Sequence, residues 1–81
     1  MVGTKTVKKA QHRTIAENVR LARTEAGLSR VALARISGVS RDYIREIEGE
    51  TANVSIDKLC ELASALGKKP ADLLVPPQAK K

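Results

Sequence analysis

The sequence predicts an all-α domain, a compact five-helix bundle, on three observations. Apolar residues recur at three- and four-residue spacing in successive short segments, serines stand before several of them, and glycines follow the first four. Two of these segments, between Ser29 and Glu48, are separated by a single Gly38-Val39 turn. There Leu33, Ala34, Gly38, Val39, Ile44 and Ile47 have the spacing at which two helices cross tightly. Ala34 is small enough to admit the second helix, and Gly38 is free to take a positive φ. The pattern is a helix-turn-helix, and its second helix is a candidate reader of DNA.

Each element has its own signals. Thr14 is the expected N-cap of the first helix, which carries Ile15, Val19, Ala22 and Ala26 and stops at Gly27. Leu28 closes the turn with an apolar side chain. Ser29 caps the second helix, which carries Leu33, Ala34 and Ile36 and ends at Gly38. Ser40 caps the third, with Asp42 in its first turn, Ile44 and Ile47 facing inward, and Gly49 at its end. A polar connection follows, and Ser55 caps a fourth helix with the stripe Ile56, Leu59, Leu62, Ala63 and Leu66, stopped by Gly67. Pro70 opens a short fifth helix through Leu74, and Pro76-Pro77 forbids its continuation. The expected organisation is a flexible basic arm over 1–12, a domain over 13–75 and a basic tail over 76–81.

With 81 residues the chain makes one domain, too small to enclose a deep catalytic cleft. Tyr43 is its only aromatic residue, so the core must be built from Leu, Ile, Val and Ala. Such a core gains about 25 cal/mol per Å² buried, and a second copy of the chain supplies the missing apolar area. A homodimer is therefore expected. Leu59, Leu62, Leu66, Leu73, Leu74 and Val75 exceed what a small monomer obviously hides, and are the candidates for a twofold interface.

The net charge of +6 favours a polyanionic partner. Lys5, Lys8, Lys9 and Arg13 lie in an opening stretch without acids, whereas residues 40–66 hold six acids against Arg41, Arg45 and Lys58. Cys60 stands alone and His12 has no companion ligand, so neither a disulfide within the chain nor a metal site is expected. No Gly-rich phosphate loop and no paired carboxylates with a pocket occur, which argues against an enzyme and against a cofactor. No apolar run approaches the roughly 20 residues that span a bilayer. A cytoplasmic setting and no membrane association are expected.

An α-helix fits the major groove, and residues near its N-terminal end reach base edges. In the third helix these are Arg41, Asp42, Arg45 and Glu46, opposite Ile44 and Ile47. The Arg41 guanidinium can donate two bonds to one guanine. Asp42 and Glu46 would accept from a cytosine amino group or orient an arginine; helix-dipole stabilisation of Asp42 and an ion pair of Glu46 are the alternatives. Arg30, in the first turn of the second helix, suits a phosphate. The Tyr43 hydroxyl also suits a phosphate oxygen, against packing on the second helix. Ser40 and Asn53 are further phosphate candidates, against capping and turn roles. The arm with Lys5, Lys8, Lys9 and Arg13 either tracks DNA or serves as a solubilising tail.

The run ENVRLARTEAGLSRVALARISGVSRDYIREIE, followed by NVSIDKLCELASALGKKPADLL, resembles the phage repressor/Cro-type (XRE-like) helix-turn-helix family. The wording SRDYI and NVSIDKL is similar to the small controller proteins of restriction-modification systems. The resemblance implies a lambda-repressor-like fold and a homodimeric regulator of transcription that binds a near-palindromic operator in double-stranded DNA, with no small-molecule effector evident. It also implies a structural ion pair between Arg23 and Glu48, and a tyrosine facing DNA at Tyr43. Two departures stand out: Arg30 occupies a position commonly Gln, and Glu48-Gly49-Glu50-Thr51-Ala52 replaces a usual Glu-Arg-Gly followed by basic residues. The alternative is a protein-interaction module of the same fold, antitoxin-like or adaptor, with weak or no DNA binding.

Overall fold

The computed structural model describes residues 11–77. Among them are four α-helices, α1 (His12–Glu25), α2 (Arg30–Ser37), α3 (Arg41–Glu48) and α4 (Ile56–Ala65), followed by one turn of 3-10 helix, Pro70–Leu73. Lys5, Lys8 and Lys9 of the expected arm and the end of the tail lie outside the described residues.

Three serines start three helices in the same way. The hydroxyls of Ser29, Ser40 and Ser55 accept the amides of Ala32, Tyr43 and Lys58 at 3.0, 3.1 and 3.1 Å, each satisfying one of the free donors at a helix start. Gly38 ends α2 with φ +80°, the left-handed conformation that the tight turn into α3 demands.

Two boundaries differ from expectation. Thr14 is not a cap: α1 already includes it, and begins after Gln11 without a side-chain cap bond. Burial of His12, Ile15 and Ala16 along one face of α1 extends the helix backward past the local capping signal. Arg13 therefore belongs to α1, where its Nε donates to Glu17 Oε2 at 3.4 Å, and not to the arm. The expected fifth helix is instead the single 3-10 turn. Between Pro70 and Pro76 there are too few residues to offset the cost of starting an α-helix, and the tighter turn still inserts Leu73 into the core.

The helix-turn-helix unit α2–α3 is backed by α1 on one side and α4 on the other, and the 3-10 turn closes on α1 and α4. Ile15, Val19, Leu33, Val39, Ile44, Ile47, Val54, Leu59, Leu62 and Leu73 form the fully buried centre. This corrects the expected dimer surface. Leu59, Leu62 and Leu73 are interior residues of the single chain and are unavailable to a partner, while Leu66 and Leu74 are half-buried against the core and Val75 is exposed. Leucines spaced along one helix face pack inside whenever a neighbouring helix covers that face, and α2 covers α4. Conversely Ile36, Ile56 and Ala26, all expected in apolar stripes, are exposed.

The C-terminal segment is tied down by a residue that the apolar pattern does not single out. Asn18 of α1 is buried, and its Nδ2 donates to the carbonyls of Leu73 and Val75 at 3.0 and 2.7 Å.

Candidate nucleic-acid interface

Burial of Ile44 and Ile47 fixes the rotation of α3 and turns Arg41, Asp42, Arg45 and Glu46 outward, all four exposed. Asp42 lies between the two arginines: its Oδ1 accepts from Arg41 Nη2 at 3.2 Å and from Arg45 Nη2 at 3.5 Å. Such exposed pairs add little to stability, but they hold two guanidinium groups side by side on the outer face. The Glu46 side chain projects from the same face, and its backbone carbonyl accepts the Thr51 amide and hydroxyl that close the end of α3.

Arg41 and Arg45 line one open concavity together with Arg23, Ser29, Arg30 and Val31, so the outer face of α3 is continuous with the first turn of α2. Val31, exposed and apolar, sits in this basic surroundings and was not singled out by its sequence context. An apolar side chain there suits a thymine methyl or sugar.

Behind the concavity a charge cluster gathers on one buried carboxylate. Glu48, the last residue of α3, has only 1% of its side chain exposed. Its Oε2 accepts from Arg23 Nε at 2.7 Å, and its Oε1 from Arg23 Nη2 at 3.1 Å and Arg30 Nε at 3.0 Å. Arg23 also donates Nη1 to the Leu28 carbonyl at 2.9 Å, which uses the guanidinium to join α1, the following turn and α3. Arg20 completes the cluster, with Nη2 donating to the Glu48 carbonyl at 2.9 Å and Nε 4.0 Å from Oε1. Neither Arg20 nor the tie of Arg30 to Glu48 was expected from the sequence. The signal for Arg20 is its position one helical turn before Arg23 on the same face of α1.

The expected phosphate residues separate. Arg30 lines the concavity, with 42% of its side chain exposed. The Ser40 hydroxyl accepts the Tyr43 amide as a cap and keeps its own proton to donate. Asn53 is exposed. The Tyr43 hydroxyl donates to the Asn53 carbonyl at 2.7 Å and accepts the Ser55 amide at 3.1 Å, which anchors the connection between α3 and α4. Its one proton is engaged within the chain, so a phosphate oxygen would compete with the Asn53 carbonyl for it.

Other chemistry is sparse. Among the described residues no group of three His, Cys, Asp or Glu is placed to hold a metal ion, and no helix is long and apolar enough to cross a membrane. Cys60 is an exposed free thiol, and His12 is buried with Nε2 unpaired.

Two crossed helices, a capped and outward-facing α3, and a basic concavity define a helix-turn-helix domain. The chain belongs to the HTH_3 helix-turn-helix family, whose model matches residues 19–73. It is 38% identical over 64 residues to a hypothetical transcription factor of Neisseria meningitidis serogroup B, a match covering 79% of this chain and 60% of that protein. It is 43% identical over 60 residues to the control protein C.SmaI of Serratia marcescens, covering 74% of this chain and 71% of that one. The crystal structure of the restriction-modification controller protein C.AhdI from Aeromonas hydrophila superposes with a TM-score of 0.75 at 36% identity, over 79% of this chain and 97% of that chain.

Proposed function

We propose that the protein is a sequence-specific transcriptional regulator that binds a near-palindromic operator in double-stranded DNA as a homodimer, with α3 in the major groove. The observation that carries this is the outer face of α3, where Arg41 and Arg45 stand exposed and continuous with Arg30 at the start of α2. Arg41 and Arg45 read base edges; Asp42 orients both, and Glu46 accepts from a cytosine amino group. Arg30, Ser40 and Asn53 hold phosphates, which sets the register of α3 on the duplex. Arg23 and Glu48 keep α1 and α3 in fixed relation.

The twofold contact uses the apolar surface left by the core, Leu66, Leu74 and Val75. The relatives named as control proteins support a regulatory role. Its control rests on the protein's own concentration and operator arrangement, in the cytoplasm and without a small-molecule effector. The fold needs no reaction chemistry for this, and the protein acts as a binder and not as an enzyme.

Selection of bound fragments from random DNA tests the reading. The expected result is a near-palindrome with half-sites centred about one helical turn, roughly 34 Å, apart. Failure to enrich any sequence, with a protein partner co-purifying, would replace this reading with the interaction-module alternative.

A further inference from the structure

Resting on that reading, we propose that Arg20 and Arg30 together form a two-arginine seat for a DNA phosphate, held in place by the buried Glu48 carboxylate. Nothing in the sequence pattern assigns Arg20, on α1, to the nucleic-acid surface.

Three guanidinium groups gather on one carboxylate, and Arg23 alone balances its charge, donating to both oxygens with only 12% of its own side chain exposed. Arg20 and Arg30 are then surplus. Both nevertheless reach the same oxygen, Glu48 Oε1, at 4.0 and 3.0 Å, with no other carboxylate within salt-bridge distance among the described residues. Two like charges brought that close repel, and the arrangement is relieved by a second anion between them.

Arg30 commits only Nε, and Arg20 commits one Nη2 proton to the Glu48 carbonyl. The remaining N–H groups lie on side chains 42% and 53% exposed, so they open to solvent. Such planar donor forks match the non-bridging oxygens of a phosphodiester, which only accept. Because Glu48 fixes both stems, little side-chain freedom is left to lose on binding.

The seat also accounts for the acidic loop after α3. Where the resembling family carries basic residues, this chain has Glu50 and Thr51, both exposed. A cation reaching across from α1 to the end of α3 supplies the phosphate contact from behind.

The test is the salt dependence of binding by the full chain, on the selected operator and on a mixed-sequence duplex. Each phosphate contact contributes about 0.9 to the slope of log K against log salt, so Arg20→Gln should lower the slope by about 2 for a dimer, equally on both duplexes. Arg20→Lys, which retains the cation, should keep the slope, and Lys68→Gln, an exposed cation beside Asn18 and Asp72 and away from α2 and α3, should leave it unchanged. Thermal melts of each variant separate misfolding from lost contact. Wild-type slope retained by a folded Arg20→Gln overturns the seat while leaving the regulator intact; no binding of either duplex by the wild type overturns both.

Discussion

Arg23 and Glu48, 25 residues apart, form a two-pronged ion pair in which Nε and Nη2 of one meet both carboxylate oxygens of the other at 2.7 and 3.1 Å. The pair ties the first helix to the end of the third, so α3 is held at both its buried face and its tail. Glu48→Gln should cost about 3–5 kcal/mol in urea denaturation, because a buried guanidinium loses its counter-charge. A loss under about 1 kcal/mol, the range of exposed pairs, would mean that water replaces the carboxylate without penalty.

Tyr43→Phe removes the two hydrogen bonds to Asn53 and Ser55. The expected result is about 1–2 kcal/mol of lost stability, with operator affinity nearly unchanged at temperatures where the variant is folded. Unaltered stability with a tenfold loss of affinity would instead return the hydroxyl to the DNA surface.

Glu50 takes the left-handed conformation, φ +65°, at the end of α3, while the neighbouring Gly49 has an ordinary φ of −90°. The Thr51 amide reaching the Glu46 carbonyl at 2.9 Å and the Glu50 amide reaching Ile47 at 3.1 Å complete a helix-ending motif that favours glycine at Glu50. Glu50→Gly should raise the denaturation midpoint, by about 1 kcal/mol in stability. It also removes an acid beside the DNA surface, so affinity measured by fluorescence anisotropy should rise.

Arg41→Ala should relax preference at one base pair per half-site in a repeated selection, whereas Arg30→Ala weakens all sequences alike. Equal losses on every sequence for Arg41→Ala would remove it from base reading.

Asn18→Ala releases the carbonyls of Leu73 and Val75. A stability loss of about 1–3 kcal/mol is expected. Since the freed segment carries Leu74 and Val75, sedimentation equilibrium should also show weaker self-association; an unchanged dimer would move the twofold contact elsewhere.

The helices, their serine caps and the outward set on α3 were legible in the residues because they rest on short-range rules: apolar period, a hydroxyl at the helix start, a glycine at a left-handed turn. The hydrophobic pattern of α3 alone, with Ile44 and Ile47 inward, dictates that Arg41, Asp42, Arg45 and Glu46 face out. Local signals misled at Thr14, where burial along α1 carried the helix past the cap, and at Pro70, where the segment is too short to start an α-helix.

Apart from Arg23 and Glu48, whose pairing the family resemblance implies, the partners of long side chains came only from the assembled chain. An apolar stripe says that Leu59, Leu62 and Leu73 must be covered, and not whether by the chain's own helices or by another molecule. Likewise no spacing rule brings Arg20, Arg30 and Tyr43 to acceptors 28, 18 and 10 residues away. Side-chain hydrogen bonds and ion pairs act over a few ångströms in space, and distance along the chain becomes distance in space only once the helices have docked.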